Sequence, residues 1–299
     1  MRKQPEPRRT AIVTGASRGI GPHIARALVQ EGMNVVLAAR TTSEIERVAE
    51  ELRQSGARAL AIPTDIADQK ALVALVSAAE DEFGAVDVLV NNASLEPQVR
   101  FHRLEPEEIE QIVRIDLVAP LVLARLLLPG MLARGQGHIV NVSSLAGRTS
   151  FPFTESYAAA KDGLIAFSRV LRNDYRGTGV SASTVILGAV KGAGLTHRTL
   201  AETGLKTNTA FFVTPERVAR AVVRAIEKNK AESVVAPGPG RLMKALMDLF
   251  SSLGPALNRA TGVEQLMASV ADHREQSRDS RQQPRQATWP EALEAEATQ

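Results

Sequence analysis

Short apolar runs alternate along the chain with longer segments in which apolar residues recur at helical spacing. The longer segments include residues 19–31, 68–83 and 105–134. Alternation of strand and helix patterns predicts crossover connections and a parallel sheet. Seven of the short runs fit as strands, namely TAIVTG, NVVLAAR, RALAIPTD, VDVLVNNA, GHIVNVSS, VSASTVILG and ESVVAP.

Several of these strands are apolar at consecutive positions, which is typical of a parallel sheet with both faces covered by helices. The pattern predicts an α/β fold, a three-layer Rossmann-type doubly wound parallel sheet with a C-terminal helical extension. After Pro239 the segment RLMKALMDLFSSLGPAL is amphipathic, and from about Ala271 the chain is polar. We therefore predict a basic N-terminal tail at 1–8, the sheet domain at 9–240, an amphipathic helical extension at 241–270 and a disordered tail at 271–299.

Composition and charge exclude several classes of function. The net charge of +3 comes from 36 basic and 33 acidic residues without a long basic block, so we do not expect nucleic acid as a partner. The chain has no cysteine, which excludes disulfides, thiolate nucleophiles and cysteine-ligated zinc. The basic start lacks the apolar stretch of a secretory signal, and no uncharged apolar run approaches membrane-spanning length. We therefore expect a cytoplasmic protein.

The amphipathic extension has three interpretations: it packs on its own domain, joins a subunit interface, or lies on a membrane. Within residues 241–260, Arg241, Lys244 and Arg259 outnumber Asp248 by only two charges. That excess is too small to require a membrane, so we favour packing within the protein or an oligomer over membrane contact through residues 241–260.

A glycine-rich turn, TGASRGIG, follows the first predicted strand and opens the first predicted helix. Gly15, Gly19 and Gly21 have the spacing G-x-x-x-G-x-G. Without side chains, the backbone can approach a pyrophosphate closely, and the helix N-terminus offers free N–H groups. Its position between strand and helix predicts a nucleotide-binding turn.

This turn and four later motifs resemble the short-chain dehydrogenase/reductase family over residues 9 to about 240. The later motifs are Asp65 after the third strand, NNAS at 91–94, NVSS at 141–144, and Tyr157-x-x-x-Lys161. The resemblance implies a metal-independent NAD(P)-dependent oxidoreductase that acts on a small-molecule ketone or secondary alcohol, assembled as a homodimer or homotetramer. It implies these cofactor-binding residues: Gly15, Ser17, Arg18, Gly19, Ile20, Gly21, Arg40, Asp65, Ile66, Asn92, Ala93, Tyr157, Lys161, Gly188 and Val190.

The end of the second strand bears on the choice of cofactor. An acidic side chain there accepts hydrogen bonds from a free ribose 2′-hydroxyl, whereas arginine can bind a 2′-phosphate. The strand ends at Ala39 and Arg40 without an acid, and Arg18 adds a second cation. We therefore predict NADP(H) as the preferred cofactor and NAD(H) as the alternative, although both arginines also fit ordinary surface charges.

Tyr157 and Lys161 are four residues apart in a predicted helix, so they share one face. A free phenol has a pKa near 10, and a neighbouring ammonium is expected to lower it. We predict Tyr157 as the general acid/base and Lys161 as its electrostatic partner. By resemblance, Ser144 orients the substrate oxygen, while Ser143 is the candidate for a purely structural hydroxyl.

Two positions depart from the family pattern. Asp116 stands where the family has an asparagine that holds a water leading to the lysine, and we expect it to serve as a catalytic relay with an altered pH profile. In the turn after the sixth strand, Leu187 replaces a proline and Gly192 replaces a threonine near the nicotinamide carboxamide. We expect cofactor binding with one fewer bond.

The substrate side is less specific in sequence. Residues 191–212 have the composition of a lid or of a surface loop, and His197 within them is a candidate contact. Phe151 and Phe153 predict a partly apolar substrate wall, with core packing as the alternative. The rival functions are a catalytically weak nucleotide-binding sensor or scaffold, and a sugar-nucleotide epimerase or dehydratase of the same fold.

Overall fold

A parallel sheet of seven strands organises the chain, for which the computed structural model describes residues 8–204 and 212–282. Its spatial order is β3-β2-β1-β4-β5-β6-β7. The strands are β1 Thr10–Thr14, β2 Asn34–Ala39, β3 Ala59–Pro63, β4 Val88–Asn91, β5 Gly137–Ser144, β6 Val180–Leu187 and β7 Glu232–Val235. All seven predicted strands are present, and the predicted parallel sheet is confirmed.

Helices connect the strands and continue beyond the last one. They are α1 Gly21–Gln30, α2 Thr42–Gln54, α3 Gln69–Phe83, α4 Pro106–Val113, α5 Ala119–Arg134, α6 Ala146–Thr149, α7 Glu155–Asp174, α8 Gly194–Thr203, α9 Pro215–Glu227, α10 Gly240–Leu249, α11 Leu253–Ala260 and α12 Val263–Gln282. A π-helical turn, Arg114–Val118, joins α4 to α5.

The helices bury apolar side chains against both faces of the sheet. On one face, Ile24 of α1 and Val222 of α9 join a fully buried cluster with the strands. On the other face, Leu75 of α3 and Leu127 of α5 do the same. The three-layer, doubly wound prediction is thereby confirmed.

The chain reverses its direction of winding at β1, which pairs with β2 on one side and β4 on the other. Crevices at such a reversal, outside the carboxyl ends of the strands, are the usual ligand sites of open α/β sheets. The turns after β1, β4, β5 and β6 therefore meet at one edge.

One helical stretch, Pro106–Arg134, is long and apolar enough to cross a membrane, with a mean hydropathy of 1.9. Asp116 and Arg125 interrupt its apolar sequence, so it contains no uncharged run of membrane-spanning length. Half of its apolar window is buried, and Leu123 and Met131 pack in the core beneath the sheet. Core helices of globular domains pass the same length and hydropathy test.

The predicted disordered tail is wrong for residues 271–282, which are the second half of α12. Charged side chains hold this polar helix in place. Arg100 pairs with Glu275 at 2.9 Å, and Arg278 pairs with Glu108 at 2.7 Å. Val270 and Ala271 are fully buried. The predicted tails at 1–7 and 283–299, and residues 205–211 of the lid segment, lie outside the described residues.

Candidate active site

A cleft of about 1050 Å³ opens at the carboxyl edge of the sheet. It extends from the glycine turn after β1 to the start of α7. Most of the predicted site residues line it, namely Gly15, Ser17, Arg18, Gly19, Ile20, Arg40, Asp65, Ile66, Asn92, Ala93, Ser144, Phe151, Tyr157, Lys161, Gly188 and Val190.

Close backbone packing explains the three glycines of the turn after β1. A Cβ on Gly15 would lie 2.7 Å from the Ala93 Cα, and one on Gly21 would lie 2.2 Å from the Gly15 carbonyl oxygen. Gly15 and Gly19 also have φ angles of 65° and 67°, which favour glycine. Gly21 lies behind the turn and supports it from the first turn of α1.

The turn after β4 is fixed to the glycine turn by hydrogen bonds. The Asn92 side chain donates to the carbonyl oxygens of Thr14 at 3.0 Å and Gly15 at 3.2 Å. The Thr14 hydroxyl accepts from the N–H groups of Asn92 and Ala93. This bonding holds the two turns together at the winding reversal, so Asn92 acts on the shape of the cleft through the backbone.

Arg18 and Arg40 are exposed side chains at one end of the cleft, where the turn after β1 meets the end of β2. Asp65 lies nearby, and its Oδ1 accepts from the Ala67 N–H at 3.0 Å. That bond orders the turn after β3 and leaves the second carboxylate oxygen for other partners. Two cations therefore line the cleft at the turn after β1 and the end of β2, whereas Tyr157 lies on α7.

Tyr157, Lys161 and Ser144 meet at the other end of the cleft. Tyr157 and Lys161 are buried on one face of α7, with the Lys161 Nζ 5.6 Å from the centre of the Tyr157 ring. The Ser144 hydroxyl at the end of β5 lies close enough to the Tyr157 hydroxyl to lower the pKa of the tyrosine. Ser143 is buried, and its hydroxyl donates to the Lys161 carbonyl oxygen at 2.8 Å. Of the two serines, Ser144 therefore lies beside the tyrosine hydroxyl, and Ser143 binds the backbone of α7.

Asp116 contacts the ammonium of Lys161 directly, at 3.0 Å from Oδ1 to Nζ. The carboxylate reaches the ammonium without an intervening group, and it does so from the π-helical turn. Both side chains are almost completely buried. Burial raises the pKa of Asp116, while Lys161 and the hydrogen bonds from Ser94 and Leu95 oppose the rise. Asp116 lies behind the cleft and acts on it through Lys161.

Ser94 is a site residue that the sequence interpretation missed. Its hydroxyl donates to Asp116 Oδ1 at 2.5 Å, and it lies close enough to the Tyr157 hydroxyl to lower the pKa of the tyrosine. A chain of polar groups thus runs from the Tyr157 hydroxyl through Ser94 and Asp116 to Lys161. A signal was present, since serine stands at the last position of NNAS where the family usually has glycine.

The expected lowering of the Tyr157 pKa is not observed. Burial raises the pKa of Tyr157, and the negative charges of Glu96 and Asp116 raise it further. The hydroxyls of Ser144 and Ser94 act in the opposite direction. Lys161 gives little net stabilisation to the phenolate because its charge is paired with Asp116.

The turn after β6 continues into helix α8, so its second part is a helix rather than a structureless loop. Gly192 has a φ of 71° and no neighbouring atoms where a Cβ would lie. The positive φ would strain a threonine at this position, whereas glycine adopts it readily. Gly188 and His197 line the cleft.

The two predicted phenylalanine contacts have different positions. Phe151 lines the cleft, whereas Phe153 is not among the lining residues. Phe153 has a φ of 58°, and the Arg100 guanidinium lies 5.7 Å from its ring centre. This ring therefore packs beside Arg100 of the loop after β4, and its contact with substrate stays a prediction.

Comparison with known proteins agrees with this geometry. The sequence model of the short chain dehydrogenase family matches residues 9–203. The chain belongs to this family. It is an NAD(P)-dependent oxidoreductase that acts on CH–OH or C=O groups of small molecules.

Similar proteins include several reductases. Ketoacyl reductase HetN from Nostoc sp. is 39% identical over 246 residues, which are 82% of this chain and 84% of the relative. Dehydrogenase/reductase SDR family member 7B from Bos taurus is 31% identical over 284 residues, 90% of this chain and 83% of the relative.

Two solved structures are also similar. An actinorhodin polyketide ketoreductase variant with NADPH has a TM-score of 0.72 and 30% sequence identity. The match covers 78% of this chain and 97% of the ketoreductase chain. A metagenomic short-chain oxidoreductase in complex with NADP has a TM-score of 0.66 and 31% identity, with 77% and 97% coverage. Each of the two matches therefore leaves more than a fifth of this chain without a counterpart.

Proposed function

We propose that this protein is an NADP(H)-dependent reductase or dehydrogenase that interconverts a ketone and a secondary alcohol, with Tyr157 as the general acid/base. The observation that carries the proposal is the meeting of Ser144, Tyr157 and Lys161 at one end of a cleft whose other end contains the glycine turn and Arg40. A single elongated ligand in this cleft would reach both ends.

The residues present fit a dinucleotide. Positive φ angles at Gly15 and Gly19 and the absence of side chains there leave room for a pyrophosphate beside the N-terminus of α1. Arg18 and Arg40 are suited to a 2′-phosphate, and both similar solved structures contain NADP or NADPH. These features support NADP(H) over NAD(H).

When bound, the nicotinamide would supply or accept the hydride. The protein residues provide the rest. Ser144 donates a hydrogen bond to the substrate oxygen, and Tyr157 protonates that oxygen during reduction or removes its proton during oxidation. Lys161 donates to Asp116 and to the Val142 carbonyl oxygen, which leaves its third N–H for a ribose hydroxyl.

Proton supply to Tyr157 has a defined route in this proposal. The Ser94 hydroxyl contacts both the tyrosine and Asp116, so it can pass a proton between them. Asp116 would accept the proton that Tyr157 removes during alcohol oxidation and, once protonated, would return it during ketone reduction, and burial favours this exchange by raising the pKa of the carboxyl. This route replaces the family's asparagine and water with a serine and an aspartate.

Turnover and binding measurements test the function. We expect the protein to oxidise NADPH in the presence of a ketone from a carbonyl panel, and Tyr157→Phe to reduce this rate at least a hundredfold without weakening NADPH binding. Quenching or enhancement of NADPH fluorescence on titration reports binding. NADPH binding without any turnover, unaffected by Tyr157→Phe, would favour the sensor or scaffold instead.

The setting of the enzyme is part of the proposal. We propose a cytoplasmic homodimer or homotetramer whose C-terminal extension packs within the protein. Cell fractionation and light scattering of the purified full chain test the first two points. Binding of the full chain to lipid vesicles, lost on truncation at Gly240, would contradict the third.

A further inference from the structure

Helices α10–α12 form an apolar wall of the cleft next to the reacting hydroxyls. This part of the chain lies beyond the match to the family, which ends at residue 203. The side chains that the three helices contribute to the cleft are Met247, Leu257, Val263, Leu266 and Met267, together with Asn258. The apolar side chains of Leu145, Phe151, Leu200 and Phe212 also line the cleft.

Two polar side chains that line this part of the cleft, Asn258 and Gln98, are hydrogen-bonded within the protein. The Asn258 amide donates to the carbonyl oxygens of Thr149 and Ser150, both at 3.1 Å. The Gln98 Oε1 accepts from the Thr199 hydroxyl at 2.7 Å, and its Nε2 lies 3.3 Å from the Met267 sulfur. Hydrocarbon and thioether groups are therefore the surface that the wall offers to a ligand.

Helix α11 is packed closely on the segment that follows β5. A Cβ on Gly254 would lie 2.5 Å from the Thr149 carbonyl oxygen at the end of α6. In addition, Arg148 of α6 approaches Asp248 of α10 at 3.6 Å. These contacts place the wall beside the segment that joins Ser144, at the end of β5, to Phe151.

Helix α12 is bonded to the loop after β4 and to helix α8. The Arg274 guanidinium donates to the Thr199 hydroxyl at 2.8 Å, pairs with Glu202 of α8 at 3.2 Å, and also bonds the Pro97 carbonyl oxygen. Arg100 pairs with Glu275. The extension thus connects the loop after β4, the loop after β5 and the lid helix α8.

We infer that this wall binds an extended apolar tail of the substrate, so that the enzyme acts on ketones or secondary alcohols carrying a long alkyl or acyl chain. The inference rests on the proposed function, which places the reacting carbon beside Tyr157 and Ser144. A small polar ketone would leave most of this apolar surface uncovered, whereas an apolar tail would cover it. Methionine side chains at Met247 and Met267 can adapt to chains of different shape.

A homologous series of methyl ketones, from butanone to undecanone, tests the inference in the full chain. We expect kcat/KM to rise by up to roughly fourfold for each added methylene, which corresponds to about 0.8 kcal/mol per buried CH₂. Leu257→Gln and Leu266→Gln should flatten this rise. The matched control is Leu249→Gln on α10, whose side chain is 75% exposed and is not among the lining residues.

Calorimetric titration of undecanone separates this inference from the proposed reaction. Tight binding of undecanone that is weakened by Leu257→Gln supports the apolar site. If that binding is found but no ketone is reduced, only the reaction proposal fails. Equal kcat/KM or equal affinity for butanone and undecanone would overturn the apolar site while leaving the reaction intact. Melting temperatures of the variants show whether a loss comes from unfolding, and Leu249→Gln should match the wild type throughout.

Discussion

Lys161 and Asp116 form a buried ion pair, with 3.0 Å between Nζ and Oδ1, directly behind Tyr157. A buried pair of this kind influences both the proton affinity of its neighbours and the stability of the fold. In this protein the aspartate also connects to the tyrosine through the Ser94 hydroxyl.

Asp116→Asn is expected to lower the pKa of Tyr157. The Asp116 carboxylate raises that pKa, and its removal also frees the charge of Lys161 to stabilise the phenolate. Alcohol oxidation requires the phenolate, so its rate should begin to rise at a lower pH than in the wild type. Ketone reduction requires the phenol, so its rate should also begin to fall at a lower pH.

The pH dependence of kcat/KM in both directions measures this effect. Glu96→Gln is a useful companion because the Glu96 charge also raises the Tyr157 pKa, and it should shift both limbs in the same direction. Profiles of Asp116→Asn that superimpose on the wild type would show that the pair does not control the tyrosine.

Lys161→Met should destabilise the fold strongly, because it leaves the Asp116 carboxylate buried without a cation. Breaking one side of a buried pair typically costs about 3–5 kcal/mol in the free energy of unfolding. Burial already raises the pKa of Asp116 above that of the unfolded chain, and loss of Lys161 should raise it further. The deficit should therefore be largest at high pH and shrink as pH falls through the folded pKa.

Urea unfolding of the Lys161→Met variant across pH measures the deficit. The double variant Lys161→Met, Asp116→Asn removes both charges and should recover most of the lost stability at neutral pH. A double variant as unstable as the single one would locate the cost in lost packing of the lysine instead.

Ser94→Ala should lower kcat by roughly tenfold, since hydrogen bonds to charged groups contribute about 1.5–3 kcal/mol. The substitution removes the hydroxyl that contacts both Asp116 and Tyr157. Asp116 Oδ1 then keeps only Lys161 as a partner. Steady-state kinetics should show the loss in kcat, with an unchanged affinity for NADPH.

Ser143→Ala is the matched control for Ser94→Ala. The Ser143 hydroxyl is also buried but donates to the Lys161 carbonyl oxygen, away from the reacting groups. We expect it to lower the melting temperature and to leave kcat within about twofold. Equal effects of the two variants on kcat would remove the special role of Ser94.

The sheet and the glycine turn were predictable because their signals are local. Runs such as Val35–Leu37 are apolar at consecutive positions, and the spacing of Gly15, Gly19 and Gly21 requires no knowledge of distant contacts. The Tyr157 and Lys161 spacing likewise follows from one helix. These features depend on interactions within a few residues of each other.

The remaining features depend on contacts between distant parts of the chain. Helix α12 is polar, and Arg100 and Glu275, 175 positions apart, help to hold it in place. The direct contact between Asp116 and Lys161 depends on a π-helical turn and on the packing of α7 beside it. The orientation of Phe153 follows from a left-handed backbone conformation that nothing in its side chain favours.

Arg40→Asp should reverse the preference between the two nicotinamide cofactors. The side chain is exposed at the end of β2, at the end of the cleft away from Tyr157. Loss of a charge-assisted contact to a 2′-phosphate should weaken NADPH binding by roughly ten- to a hundredfold. The new carboxylate can accept from a free 2′-hydroxyl, so NADH binding should strengthen.

Arg47→Asp makes the same charge change on the exposed face of α2, outside the residues that line the cleft, and should leave the ratio of the two dissociation constants unchanged. A similar loss in both variants would mean that net charge, and not the position of Arg40, determines cofactor binding.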